Sequence, residues 1–458
     1  MENEKIECMS EAVYTQTKHP LVSVIVISYN NFQFLVDSIQ SVLEQDYPNL
    51  ELLISDDASM GYTVDMGAYF LCKAIHTILY GRKCLELEKI DKKLAQKKFK
   101  KYKEISSKEQ YDSQKDYLQE AQTLMCTHFP QIKKVEFNKN RINQGTVKHL
   151  KGLKENTQGK YIMFLAADDK LHDETVISDM ISHFELLPND AYVLTSQCGM
   201  YDYELKELMY YAVNDELKKV LLESTPAELF AQLTDWCIVP AAGTIYKKKV
   251  FEKYGDLDPK YHLIEDWTYF LKLSRSGARI YFFDRLTYMH RDGGISHGNV
   301  ANGNEAYLHY LNDSILLTEN EIIPYLDEVT PSQKKQALKR YKNTVRERDW
   351  KYNFRNMSKL EKMKFAFRYA PHYIPKVLRV IFDFIDYRMR WSFISGTTLL
   401  FLYSICSLSR QTESASSQLF MDVIGILGLL LLSFTVLFKC IYYSLKIPMT
   451  VLKRLRRA

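Results

Sequence analysis

Over roughly the first three hundred residues, short runs of consecutive apolar residues alternate with segments whose apolar positions recur every three to four. Leu21–Ser28 is apolar and β-branched, which predicts a buried strand, and Tyr29-Asn30-Asn31 ends it. Phe34, Leu35, Ile39, Val42 and Leu43 then fall at helical spacing, and Asp46–Asn49 turns the chain into a second strand, Leu50–Ile54. This β-α-β unit implies parallel strands and a right-handed crossover. Tyr161–Asp169 repeats the strand pattern: large apolar residues, two alanines, then two adjacent carboxylates. A run of that kind predicts a buried, parallel strand that delivers its acids to the sheet edge where ligands bind in open α/β folds.

Between these landmarks, Val135–Phe137 restarts the sheet, Val147–Asn156 and Val176–Leu187 are expected helices, and Ala191–Ser196 is a strand. Tyr203–Glu228 reads as polar and largely helical, with Pro226 as an interruption. Ala241–Tyr246 and Ala278–Phe283 are expected strands, Ile264–Trp267 opens a helix to Ser276, and His290–Ser296 is an expected loop. Residues 67–126 break the alternation. They are rich in Lys, Glu, Gln and Tyr and predict one or two long solvated helices inserted into the sheet domain. Their cluster Lys97–Lys103, with Phe99 and Tyr102 interleaved, reads either as a solvated helix face or as a surface for nucleic acid or anionic lipid. No nucleic-acid partner is expected.

The C-terminal third differs again. Residues 311–369 are helical and basic, like a linker, and Lys376–Arg390 mixes apolar residues with Arg in the manner of an interfacial helix. Trp391–Leu408 and Leu419–Phe438 are apolar runs of roughly 27 and 30 Å as helices, enough to cross a hydrocarbon core. A buried hairpin of a soluble domain is the alternative. Basic residues flank the pair on both sides, so the expected arrangement is a cell-membrane protein with two spans and its large domain on the cytoplasmic side. Expected boundaries are a tail at 1–19, an α/β domain at 20–310, a helical linker at 311–390 and the spans with a basic tail at 391–458.

Composition changes this picture little. The net charge is +5, with the positive residues gathered in the middle and at the end. Met1–Lys18 is polar and acidic, unlike a signal peptide. The eight cysteines form no CxxC pair and no Cys/His cluster, so reduced thiols of an intracellular protein are expected. GxGxxG and GxxxxGK[ST] are both absent.

The chemistry sits in three acidic pairs in chain order: Asp56-Asp57, Asp168-Asp169 and Glu265-Asp266. Helix caps explain any one of them. Together with Val22–Asn30, Ser55–Ser59, Asn143–Gly145, Ala166–Asp169 and Ile264–Trp267, they resemble the inverting family 2 glycosyltransferases, over about residues 20–300. The resemblance implies the GT-A fold: an α/β domain with a mixed, mostly parallel sheet and flanking helices, which takes a nucleotide-diphospho-sugar donor. It implies Tyr29 and Asp57 at the nucleobase pocket, Ser28 among the nucleotide-sugar contacts, Asp168 at ribose or metal, Asp169 at metal, and Asp266 as general base. Glu265, Trp267, His290 and Arg291 join the expected donor and acceptor contacts, with a place in the core as the alternative for Trp267. Mn²⁺ or Mg²⁺ is the expected cofactor, and a saccharide or lipid-linked hydroxyl the expected acceptor. This sequence departs from the family at Ile27 and Ala166, in the long insertion, and at Tyr387, where a QxxRW motif would need Gln. A non-catalytic membrane scaffold on the same fold is the alternative function.

Overall fold

Ten strands form one mixed sheet among the described residues. The computed structural model describes residues 2–7, 19–106, 108–293, 305–353, 357–362, 364, 394–400, 423–424, 426–433 and 435. The strands are β1 Glu2–Glu7, β2 Val22–Ser28, β3 Leu50–Asp56, β4 Ile132–Lys139, β5 Tyr161–Ala166, β6 Lys170–Leu171, β7 Val193–Tyr201, β8 Leu208–Tyr211, β9 Ile245–Lys247 and β10 Ile280–Arg291. Their spatial order is β1-β4-β3-β2-β5-β9-β7-β10-β6, with β8 also paired to β7. The block β4-β3-β2-β5 is parallel, as is β7 with β10, while β9 runs antiparallel between β5 and β7.

The central strands are apolar on both faces because helices cover both. Val22, Val24 and Val26 share one core with Leu50, Leu52 and Ile54, packed against α1 Leu35–Leu43, α2 Val64–Glu88 and α6 Val176–Leu186. Ile25 and Leu53 point the other way, into a core built with α5 Thr146–Glu155, α8 Pro226–Leu233, α9 Lys249–Tyr254 and α10 Asp266–Arg275.

Several expectations are corrected. The tail contributes a strand: β1 pairs antiparallel with β4 at the sheet edge. The insertion is three helices, α2, α3 Lys92–Ser106 and α4 Tyr117–His128, and the first half of α2 is a buried crossover helix between β3 and β4. Gly67 lets that half lie close: a Cβ there would stand 2.7 Å from the Tyr62 hydroxyl and 3.0 Å from Phe137. Within 203–228, a strand, β8, precedes α7 Asp215–Glu223, and Pro226 opens α8 inside a capping box built by Thr225 and Glu228. Cys126 is disulfide-bonded, so the expectation of uniformly reduced thiols fails there, whereas Cys72, Cys84, Cys198 and Cys237 are free.

The chain divides into two units, Met1–Asn353 and Phe354–Ala458. The helices α11 Glu305–Leu317 and α12 Pro331–Arg348, expected as linker, lie in the first unit, where Leu317, Leu326 and Ala337 join the second core. In the second unit, helical pieces at 394–400 and 426–433 approach closely: a Cβ on Gly396 or Gly428 would stand 3.1 Å from the other's carbonyl oxygen. Ile394, Ile426, Leu427, Leu429 and Leu430 are about half exposed there. Most of the two expected spans, and the expected interfacial helix 376–390, lie outside the described residues. Among the described residues no helix is long and apolar enough to cross a membrane.

Candidate active site

Strand register builds one side of the site. Ser28 pairs with Asp56, Asp56 with Lys139, and Ile27 with Ala166, so β4, β3, β2 and β5 end together. The residues just beyond them form a polar rim. Asp56 is a buried brace: it accepts from the hydroxyls of Ser28 and Ser59, both at 2.6 Å, and from the Ser59 amide. Ser59 Oγ in turn accepts from Asn30 N at 2.7 Å. Ser28 therefore stabilises the rim from inside it. Tyr29 is 45% exposed, its ring open to a ligand.

Asp57 holds the next loop. Its carboxylate accepts from Asn140 Nδ2 at 2.7 Å, from Gln144 N at 3.0 and 3.1 Å, and from Gly145 N at 2.9 Å. Gly145 has φ +79° and ψ 159°, a conformation essentially restricted to glycine. A Cβ there would stand 2.4 Å from His262 Nδ1. Val147 N donates to the His262 carbonyl at 3.3 Å, which ties this loop to the one before Glu265.

Asp168 and Asp169 follow β5. Asp169 is buried and committed: one oxygen accepts from Arg291 N at 2.9 Å and the other lies 2.9 Å from His290 Nδ1. Burial alone would lower the His290 imidazole pKa, but the hydrogen bond and charge of Asp169 outweigh it and the value is raised. Burial, then the neighbouring Asp169, raise the Asp168 carboxyl. Arg291 is nearly buried, donating from Nε to Asp168 O at 2.7 Å, from Nη1 to Tyr203 O and from Nη2 to Asp37 at 3.1 Å. His290 and Arg291 were expected on a loop. They are the last residues of β10, held by its pairing with β6 and β7. Ser296 lies outside the described residues.

The Glu265-Asp266 side is held from a distance. Asp313 of α11 accepts the amides of His262, Leu263 and Ile264 on one oxygen, at 2.8, 2.6 and 3.1 Å. The His309 ring stacks on His262 with centroids 4.1 Å apart. Asp266 opens α10, and its Oδ1 accepts from Trp267 N at 2.6 Å. Burial raises the Asp266 pKa, and burial plus the charge of Asp266 raises that of Glu265 well above its ordinary value. Trp267 departs from its expected contact with substrate. It is 8% exposed, donates from Nε1 to Leu233 O at 2.8 Å and carries the Arg340 guanidinium 4.4 Å over its ring. That makes it a core residue anchoring α10.

Thus Tyr29, Asp57, Asp168, Asp169, His290 and Arg291 share one network of strand ends, and contact between Gly145 and His262 joins it to the Glu265-Asp266 loop. Sequence reasoning missed Asn140, His309, Asp313 and Arg340. Only the helical spacing of His309 and Asp313 marks them, and it is shared by many surface pairs.

Among the described residues no three His, Cys, Asp or Glu side chains form a metal cage. Two adjacent carboxylates, one with its pKa raised by burial and then by the other's charge, do fit a cation that takes few protein ligands and completes its shell with phosphate oxygens and water. Asp168 is the more available of the two, because both Asp169 oxygens are engaged.

Residues 23–77 match the family model described as Glycosyl transferase family 2, so the resemblance read from the motifs is borne out over that stretch. A Haemophilus influenzae protein named "Uncharacterized glycosyltransferase" is 47% identical over 45 residues, 10% of this chain and 14% of that protein. The Bacillus subtilis "Putative teichuronic acid biosynthesis glycosyltransferase TuaG" is 47% identical over 47 residues, 10% of this chain and 19% of TuaG. The chain thus spans under one fifth of the length of the curated relatives it matches. The structure of Staphylococcus aureus TarS 1–349 in complex with UDP-GlcNAc is 15% identical, with 80% of each chain covered and a TM-score of 0.39. That likeness is too loose to inform the site.

Proposed function

We propose that this chain is a family 2 glycosyltransferase that moves a sugar from a nucleotide-diphospho-sugar to a hydroxyl of a saccharide or lipid-linked acceptor. One observation carries the reading. Polar and acidic residues from distant parts of the chain converge at the strand ends, in the stretch that matches the family and in the loop it touches.

In this reading Tyr29 walls the base, and Asp57 fixes the loop beside it. Asp168, with Asp169 behind it, would hold Mn²⁺ or Mg²⁺, which when bound neutralises charge on the departing diphosphate. His290 and Arg291 set the orientation of the acidic pair. Asp266 takes the proton of the acceptor hydroxyl. Its raised pKa suits a general base, and such a base contributes on the order of 10²–10⁴-fold. One displacement with no protein nucleophile inverts the anomeric centre.

We also infer a membrane anchor at the C-terminus. The long apolar runs, their basic flanks, the close approach of Gly396 and Gly428 and the apolar residues exposed beside them all suit a helical hairpin in lipid. The active site would then work at the cytoplasmic face of the cell membrane. TuaG, by its name, belongs to teichuronic acid biosynthesis, and cell-surface polysaccharide assembly is the setting this chain's anchor favours. The test is calorimetry with a panel of nucleotide sugars and Mn²⁺. Saturable binding of one donor, followed by transfer with an inverted anomer, is expected. An absence of any donor binding would favour a non-catalytic scaffold.

A further inference from the structure

The helices α2, α3 and α4 enclose a groove of about 410 Å³ on the first unit, lined by Tyr69, Lys73, Tyr80, Lys83, Tyr102 and Lys115 among others. It is separate from the acidic site. Tyr69 of its lining packs on Phe70, and Phe70 on Phe32, in the short helical turn that follows Tyr29. A volume of this order matches small-ligand pockets.

Its lining has two features that go together. Tyr80 and Tyr102 stack with centroids 4.2 Å apart and planes at 12°, which fixes a rigid aromatic wall across two helices. Tyrosine offers a flat apolar face and a polar edge, the two surfaces a pyranose ring presents in return. Around that wall stand three ammonium groups. Lys73 lies 3.3 Å from the Tyr69 hydroxyl, whereas Lys83 and Lys115 are exposed and pair with no carboxylate among the described residues. Two carboxylates also line the groove, and one of them, Glu120, is held by His76 at 2.8 Å. Beside the groove, α3 carries seven lysines and one carboxylate, Glu104, and the first lysine, Lys92, pairs with Glu88 at 3.5 Å. Like charges at this density are maintained more easily opposite a polyanion.

We propose that this groove binds an anionic saccharide chain, with the lysine face of α3 drawing it in. The proposal rests on the glycosyltransferase reading for the class of ligand. Concavity separates it from a flat bilayer, which cannot follow the saccharide chain into the groove to meet Tyr80 and Tyr102, and the oligonucleotide arm of the test separates it from a nucleic acid.

The test measures binding of hexagalacturonate to the full-length chain, with maltohexaose, phosphatidylglycerol vesicles and a single-stranded oligonucleotide as comparisons. Hexagalacturonate is expected to bind, weakening as salt rises. The double variant Lys83→Glu/Lys115→Glu, at exposed positions, is expected to weaken it about ten-fold. Tyr102→Leu, which keeps the charge, is expected to weaken it several-fold. Binding that is absent, or unchanged in both variants, overturns the proposal. So does binding of vesicles or oligonucleotide that exceeds that of hexagalacturonate and shares its lysine dependence. Nucleotide-sugar turnover in the same preparations stays at the wild-type level in these variants. Its absence from the wild type would count against the glycosyltransferase reading and leave the binding result standing.

Discussion

On the side of Tyr29, Asp57 and Asp168, polar residues stand at the ends of four paired strands, and register alone brings them together. On the side of Glu265 and Asp266 no such edge exists. The acids open a helix whose entry loop is held by Asp313, and the helix is anchored through Trp267 by Arg340, from elements about 50 and 70 residues further on. The two sides nonetheless use one device. A buried carboxylate gathers the backbone amides of a loop: Asp57 those of Gln144 and Gly145, Asp313 those of His262 to Ile264. The gathered loops meet where Gly145 lies on His262. The lesson is that a carboxylate near a proposed active site is as often a fastener as a reagent, and its hydrogen-bond partners tell which. Asp57, Asp169 and Asp313 are engaged by amides or side chains, while Asp168 and Asp266 keep more of their acceptor capacity.

The comparison breaks most visibly at the junction. Gly145→Ala forces a Cβ into His262 and a backbone conformation that costs about 1–3 kcal/mol by itself. Thermal melts should show a drop of that order or larger, with loss on both sides of the site: weaker nucleotide-sugar binding and slower transfer. Asp313→Ala separates the sides. It leaves three amides without their acceptor, a loss of about 1–3 kcal/mol per unsatisfied buried group where water cannot replace it. Transfer should slow while donor affinity stays near wild type, a split read from kcat against donor Kd.

A smaller and finer effect lies in pH dependence. Burial holds the Asp266 carboxyl above its ordinary range. Transfer that needs the ionised form should therefore fall as pH drops through a value above the usual carboxylate pKa of about 4. Stability runs the other way. A carboxyl whose pKa is raised on folding contributes stability below its unfolded pKa and loses it as pH rises through the folded one. In Glu265→Gln the acid limb of kcat should persist, because burial leads among the causes at Asp266. The smallest effect is Trp267→Phe. Losing the bond to Leu233 O and the Arg340 contact should cost about 1–2 kcal/mol in stability and leave acceptor KM unchanged.

Much of the strand-end side was legible in the chain. Continuous apolar runs ending in Ser28-Tyr29, Asp56-Asp57 and Asp168-Asp169 announced both the sheet and its polar edge. The far side was not. Asp313 and Arg340 look like ordinary charges on basic helices, and nothing local says that one gathers three amides and the other covers a tryptophan. β10 was cut short because Asp284, Arg285 and Thr287 interrupt its apolar pattern at an irregular stretch of register, which hid the placement of His290 and Arg291. The buried start of α2 was masked by its polar second half. Trp267 was assigned to substrate by proximity to Asp266, when its neighbours in space were Leu233 and Arg340.

The central claim is that Asp266 takes a proton from the acceptor while the strand-end side holds the donor. Asp266→Asn keeps the size of the side chain and removes its basicity, so transfer and donor binding should part company. Sugar transfer is predicted to fall about 10²–10⁴-fold with nucleotide-sugar affinity retained. Transfer at the wild-type rate in that variant would contradict the account.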